Sequence, residues 1–300
     1  MKRFIALLTA VFALCLIINV YAEDQAPAAA PAPAAAPAPE AAAAPAAPAP
    51  DVTGSVTFTG LNKYIFRGAE LSADSAVFEP SVTINYKGFS LNVWGNYDTD
   101  QHQTQGFIPG QYTNAKGQGL GDGQSSWNET DFNLSYTYNI DKVALTGGYI
   151  YYAFDYATQT QEVYLSGTYD MIAHPTLAVY RDIDAHPGFY FNLSFSQSLP
   201  IYKLSNGDVT VDLGTGFGFY DVTDQSLHYV ALHDGNVKVG FTVPVYKNVV
   251  VQPVMQYWFP LSGKAHHDDN IIVGNTLINT NPAGHIDNTF VYGVGMTLNF

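Results

Sequence analysis

The sequence predicts an all-β fold, a transmembrane antiparallel up-and-down β-barrel of twelve strands, on three observations. From Asp51 onward, apolar residues alternate with small or polar ones at period two, the signature of strands with two unlike faces. The alternating runs mostly hold about ten residues, the length a tilted strand needs to cross a hydrocarbon core. The connections between them alternate between tight turns and longer loops, as in outer-membrane barrels.

Composition and charge exclude other classes. The chain has 26 acidic and 12 basic residues and a net charge of −14, whereas a nucleic-acid binder should be basic. Its 21 Tyr, 18 Phe and 3 Trp outnumber the 26 + 12 charged residues, the reverse of a disordered composition. Only the extreme N-terminus carries an apolar stretch approaching the 20 or so residues that a membrane-spanning helix needs.

That first element opens with Lys2 and Arg3, continues as an apolar run from Phe4 to Val20, and ends on Val20-Tyr21-Ala22. Basic start, apolar centre and small residues at a cleavage site predict a secretory signal peptide over 1–22; an uncleaved membrane anchor is the alternative. The sole cysteine, Cys15, lies inside this run after Leu14, a poor context for lipidation. The processed chain therefore has no thiol for a disulfide or a thiolate metal site. Residues 23–50 form the second element, a linker whose last 25 residues are 16 Ala, 8 Pro and Glu40. Proline removes donors and restricts the preceding residue, so this segment is expected to be a semi-rigid periplasmic spacer of up to roughly 78 Å at about 3.1 Å per residue.

The barrel occupies 51–300. Its alternating runs fall near 52–67, 76–86, 89–99, 129–139, 142–153, 161–170, 175–182, 187–198, 208–220, 237–246, 248–259 and 287–300. The phasing is clearest where Val82, Ile84 and Tyr86 oppose Ser81, Thr83 and Asn85, and where Phe132, Leu134, Tyr136 and Tyr138 oppose Asn133, Ser135, Thr137 and Asn139. In the last run Phe290, Tyr292, Val294, Met296, Leu298 and Phe300 share one face. Lys87-Gly88, Ile140-Asp141, Met171–His174, Leu199–Gly207 and Lys247 supply the turns on one rim. Segments 68–75, 100–128, 154–160, 183–186, 221–236 and 260–286 supply the loops on the other. Pro80, Pro244 and Pro253 lie inside strands and suggest bulges or strand ends. His233-Asp234-Gly235-Asn236 has the character of a tight turn, so 226–232 reads as either a strand extension or a short hairpin arm.

A soluble sandwich also alternates, but it buries its apolar faces, and the polar set here could not make a protein core without many unsatisfied groups. Aromatic residues at the run ends, namely Tyr64/Phe66, Tyr86/Phe89, Tyr149/Tyr151, Phe217/Phe219/Tyr220 and Tyr257/Trp258/Phe259, suit girdles at two lipid interfaces. An even strand count puts both chain ends on the periplasmic side. The terminal Phe300 resembles the signal by which Gram-negative barrels engage the barrel-assembly machinery.

The stretch Gly60-Leu61-Asn62-Lys63-Tyr64-Ile65-Phe66-Arg67-Gly68, followed by Pro80, Gly88-Phe89 and Trp94-Gly95-Asn96, resembles the start of the TorF-type porins of Gram-negative outer membranes. The resemblance covers about 40 residues in detail and the rest in architecture only. It implies an outer-membrane channel.

With the apolar faces toward lipid, the opposite faces define a lumen. The phasing makes Lys63, Arg67, Glu79, Trp94, Asp131, Glu162, Asp170, Asp212, Lys238 and Trp258 candidate pore-lining residues, with Tyr164, Tyr180 and Tyr190 also inward. Charges there can set ion preference or pair across the lumen as structural bridges. The aromatic residues can stack on ring-bearing solutes or fill a narrow interior. The barrel portion has 23 acids and 10 bases, which favours cations at its mouths. His266, His267, Asp268, Asp269, His285 and Asp287 carry metal-ligand chemistry without a defined metal spacing, so a solvated loop is the simpler reading. No cofactor is expected. No phosphate loop, zinc motif or nucleophile elbow is present, and no enzyme activity is expected. The expected partners are outer-membrane lipid, the barrel-assembly machinery and small hydrophilic solutes, with no nucleic acid. Two functions fit: a porin-like channel for passive diffusion, or a non-conducting structural or surface-interaction barrel.

Overall fold

The computed structural model describes residues 52–72, 75–101, 124–155, 158–222, 229–266, 270–273, 276–279 and 286–300. The chain divides into two units, Met1–Pro48 and Ala49–Phe300, and the described residues all belong to the second. The expected signal segment, the Ala/Pro linker and much of 100–128 and 260–286 lie outside the described residues.

Along the chain the elements are β1 (Val52–Leu61), β2 (Ile65–Phe66), β3 (Ala69–Glu70), β4 (Val77–Tyr86), β5 (Phe89–Gln101), β6 (Gln124–Ile140), β7 (Val143–Phe154) and β8 (Thr160–Tyr169). They continue as β9 (Thr176–Asp182), β10 (Gly188–Leu204), β11 (Gly207–Val222), β12 (Tyr229–Tyr246) and β13 (Val249–Pro260). A single helical turn α1 (Gly263–His266), the pair β14 (Asn270–Val273) and β15 (Thr276–Asn279), and β16 (Thr289–Asn299) complete the chain. β1, β4 to β13 and β16 form a closed ring of twelve antiparallel strands in the order β1-β16-β13-β12-β11-β10-β9-β8-β7-β6-β5-β4.

The ring closes where β1 meets β16, with Ser55 opposite Asn299 and Leu61 opposite Gly293. Closure pairs every strand on both sides, which a bilayer demands because it offers no water to an open edge. The outward face carries Val56, Ile84, Leu91, Leu134, Leu165, Leu193, Met255, Val294 and Met296, all exposed. Near the rim of tight turns it carries Tyr86, Tyr138, Tyr169, Tyr202 and Tyr246, and near the loop rim Trp127, Tyr149, Phe290 and Tyr292. A continuous apolar belt of this extent is costly in water and required in lipid.

The turns follow local chemistry. At Lys87-Gly88 both residues have positive φ, 48° and 89°, the hairpin geometry whose twist matches its strands. Asp141 at φ 50° opens the next turn, and Gly207 at φ 138° follows the Ser205-Asn206 turn.

Four expectations need correction. The first run ends at Leu61, not at 67, and the chain then folds inward. The expected connection 199–207 is mostly strand, because a register shift between Pro200 and Tyr202 absorbs the proline while β10 runs on to Leu204. His233-Asp234-Gly235-Asn236 is not a turn. It lies within β12, where the ladder steps from Phe217 opposite Gly235 to Phe219 opposite Leu232, a bulge that turns His233 and Asp234 into full burial. Tyr64, Phe66 and Tyr220 do not join a lipid girdle, because the first two belong to the inward-folded segment and Tyr220 turns inward to Arg67 and Tyr190.

Candidate functional site

The inner face of the ring has two zones. Toward the turn rim it is lined by hydroxyl and amide side chains that bond across neighbouring strands. Thr57 pairs with Thr297 at 3.0 Å, and Thr297 donates to Gln252 at 2.8 Å. Asn92 donates to Ser81 and Thr83, each at 2.8 Å. Thr137 meets Thr146 and Thr168 meets Thr176, each at 2.8 Å. Asp212 accepts from Thr210 at 2.9 Å and from Thr242 at 2.7 Å. Lys238 stands beside it, in register with Gly214 and Gln256.

Toward the loop rim, residues 62–72 turn into the lumen as the short hairpin β2–β3. Its base is held by the Leu71 amide donating to the Tyr64 carbonyl at 2.9 Å. The Tyr64 amide donates to Ser72 Oγ at 2.6 Å, and Lys63 Nζ to Glu70 at 2.8 Å. Its tip is Arg67-Gly68, both with positive φ, 48° and 83°. Glycine is needed at 68, since a Cβ there would lie 2.7 Å from the Asp234 Cβ and 2.8 Å from Ile286 Cδ1.

The tip is fastened to the far wall. Arg67 donates through Nη1 and Nη2 to the two carboxylate oxygens of Glu162 at 2.8 and 2.7 Å, and through Nη1 to the Tyr220 hydroxyl at 3.0 Å. Tyr152 donates to the same carboxylate at 2.9 Å. The guanidinium carbon lies 4.3 Å from the Tyr190 ring centroid, 4.8 Å from Phe66, 5.0 Å from Tyr180 and 5.7 Å from Tyr220. Glu162, Tyr180, Tyr190 and Tyr220 stand on β8, β9, β10 and β11. The hairpin springs from β1 and returns to β4; in the ring order β9 is six strands from β1 in either direction. The hairpin thus crosses the lumen to the opposite side.

Along the way Tyr64 packs on Trp94 at 5.4 Å and reaches Glu129 at 3.4 Å, and Phe66 meets Tyr152 edge-on at 6.1 Å. Behind the tip, Tyr190 donates to Asp234, 3.0 and 3.1 Å from its two oxygens. Arg67 and Glu162 retain only 10% and 6% of their side-chain exposure, so their attraction is poorly screened by water.

The ten sequence-derived candidates fall into three groups. Arg67, Glu162, Glu79, Trp94 and Asp131 belong to the hairpin level: Glu79 is hydrogen-bonded by Trp94, and Asp131 Oδ1 is buried without a hydrogen-bond partner. Asp212, Lys238 and Trp258 lie on the inner wall, Trp258 donating to Gln256 at 3.1 Å. The last two stand apart from the lumen wall. Lys63 sits at the hairpin base. Asp170 lies past the end of β8 in the turn, its side chain 77% exposed and 3.5 Å from His174, because the ladder stops at Tyr169. Phasing did not single out Tyr152, Tyr220, His233 and Asp234. Tyr152 and Tyr220 could have been found by following the alternation to the strand ends, although Tyr220 also reads as a girdle residue; Asp234 is in phase with Lys238, and the bulge brings His233 to the same side.

Of the His/Asp-rich loop, His267, Asp268, Asp269 and His285 lie outside the described residues. His266 Nδ1 stands 3.8 Å from Asp287, and among the described residues no group of three metal-ligating side chains assembles.

No protein-family profile and no curated protein matches the sequence. Among solved structures, the chain is similar to an anion-selective porin from Comamonas acidovorans, at 10% identity over 83% of this chain and 98% of that one with a TM-score of 0.32. It is also similar to Salmonella typhi OmpF in complex with daunomycin, at 12% identity over 83% and 97% with a TM-score of 0.33. A third is Pseudomonas putida OprB, at 9% identity over 83% and 94% with a TM-score of 0.34.

Proposed function

We propose that this barrel is a porin-like channel of a Gram-negative outer membrane, passing small hydrophilic solutes or ions by diffusion. The observation that carries this reading is the contrast between its faces: an apolar belt outside and a lumen of hydroxyls, amides and charges inside. A solute-filled interior explains why those polar groups are turned inward, where an apolar core would otherwise be cheaper. The hairpin across the lumen sets the narrowest level, so conductance is low. Carboxylates of Glu70, Glu79, Glu129, Asp131, Glu162 and Asp234 outnumber Lys63 and Arg67 there, which favours cations. In this reading the turn rim and both chain ends face the periplasm, residues 1–22 are removed on export, and 23–50 form a periplasmic spacer. Phe300, bonded to Gly54 at the closing seam through N–H···O contacts of 2.8 and 2.9 Å, is the element offered to the assembly machinery. The resemblance of Gly60–Gly68 to the TorF-type porins is in line with this assignment.

The fastened hairpin favours a second reading, a closed structural barrel. Single-channel recording of refolded protein in planar bilayers separates them. Small discrete steps with a cation-directed reversal potential in a salt gradient are expected. Silence at every voltage, from protein shown to be folded by heat-modifiable gel mobility, would leave the structural barrel.

A further inference from the structure

The far wall holds more than a partner for one salt bridge. Four features converge on the Arg67 guanidinium: a carboxylate gripping it with two parallel bonds, a phenol oxygen accepting a third, and the rings of Tyr180 and Tyr190 facing it. Only Phe66 among its aromatic neighbours belongs to the hairpin. The rest are wall residues, on β9, β10 and β11. Tyr164, Tyr180, Tyr190 and Tyr220 form a continuous arc with centroid separations of 5.3, 6.1 and 4.8 Å, and Tyr152 orients the Glu162 carboxylate from behind.

From this we infer that the inner wall of β8–β11 is a binding site for guanidinium-bearing solutes, filled in the resting barrel by the protein's own Arg67. The chemistry is selective. A guanidinium is planar and presents a fork of donors that matches a carboxylate edge-on, while its face stacks on aromatic rings. An ammonium lacks the plane and the fork, and potassium lacks both directionality and a π-stacking face. Asp131 lies near Glu162 at this level, and Asp234 is bonded to Tyr190. A solute entering from the loop rim and carrying a guanidinium would compete with Arg67 for Glu162 and displace the hairpin tip from the wall.

The inference rests on the channel reading for its physiological setting, yet binding can be measured without conduction. The experiment compares refolded wild type, Arg67→Ala and the double variant Arg67→Ala/Glu162→Gln, each verified as folded by heat-modifiable mobility. The probe is guanidinium chloride at millimolar concentration, far below denaturing levels, against potassium chloride and lysine at equal ionic strength. Arg67→Ala, with its site vacated, is expected to bind guanidinium by calorimetry in detergent and to lose roughly half of its added single-channel current at about 10 mM, as one charge-assisted pair with ring contacts should allow. Lysine and potassium are expected to leave the current unchanged. The double variant, lacking the carboxylate, should neither bind nor be blocked. Guanidinium binding that is absent from Arg67→Ala, or equal in the double variant, overturns the site. An Arg67→Ala barrel that binds guanidinium yet never conducts would uphold the site and reject the channel. Should alanine at 67 prevent folding, Arg67→Gln takes its place, and guanidinium binding or its absence decides in the same way.

Discussion

Replacing Glu162 by Gln removes one charge from the latch while keeping its size. In the wild type the Arg67–Glu162 pair is nearly excluded from water, with two bonds of 2.7 and 2.8 Å. Breaking a buried pair by neutralising one partner costs about 3–5 kcal/mol, because the remaining charge stays desolvated. Contacts of Arg67 with Tyr180, Tyr190 and Tyr220, each worth about 0.5–2 kcal/mol, are already made in the wild type, so they cannot restore what is lost. The hairpin has an escape that a core residue lacks: it can leave the wall and return Arg67 to water. The penalty therefore falls on docking and not on the barrel. At about 1.4 kcal/mol per tenfold, the docked-to-undocked ratio should drop by roughly a hundredfold to a few thousandfold. Single-channel recording of wild type, Glu162→Gln, Arg67→Ala and the double variant reads this directly as larger steps or longer open dwells. The double variant should differ little from either single one, since both delete the same interaction. Were folded Glu162→Gln to show steps and dwell times indistinguishable from wild type, the hairpin would not control the lumen.

Three further outcomes test other parts of the structure. Gly68→Val places a side chain against Asp234 and Ile286 in a left-handed backbone at a cost of about 1–3 kcal/mol; it should reproduce the conductance of Glu162→Gln with unchanged heat-modifiable mobility. Gly293→Val puts a Cβ into collision with the Gly60 carbonyl oxygen at the closing seam, and should lower the temperature at which the compact gel band is lost. Leu165→Arg places a charge on the outer face, where Leu165 is 61% exposed, and should reduce folding stability in lipid vesicles by about 2–4 kcal/mol; Ser166→Arg, on the inner face, should cost less in the same urea titration.

Period-two alternation made the ring legible because a strand with one face in lipid and the other in a polar lumen must alternate at every step. Val82, Ile84 and Tyr86 could face only one way. The hairpin was hidden by the same rule. Tyr64 and Phe66 keep the outward phase of Val56 and Phe58, and Lys63 and Arg67 the inward phase of Thr57, while the backbone leaves the ladder at Leu61, so Tyr64 and Phe66 looked like girdle residues. Nothing local marks Arg67 as the tip, since a positive φ at arginine is uncommon. Its partners lie 95 and 153 residues away, and no spacing rule links them. The bulge in β12 failed to show for a related reason: His233-Asp234-Gly235-Asn236 has turn chemistry, and pairing with β11 and β13 overrides it. Inward charges in mid-strand, such as Asp212 and Lys238, were legible because placing them in lipid would be costly.

The diametric position of the Arg67 seat has a consequence for how the chain is put together. β8 to β11 stand opposite β1 only when the ring is complete and holds twelve strands; in an unclosed sheet the same strands lie displaced along a curved ribbon. One strand more or fewer would rotate Glu162 away from the hairpin tip. The latch geometry therefore presupposes the joined seam between β1 and β16. Its presence certifies correct strand number and register, in the way a crossbar fits a hoop of only one circumference.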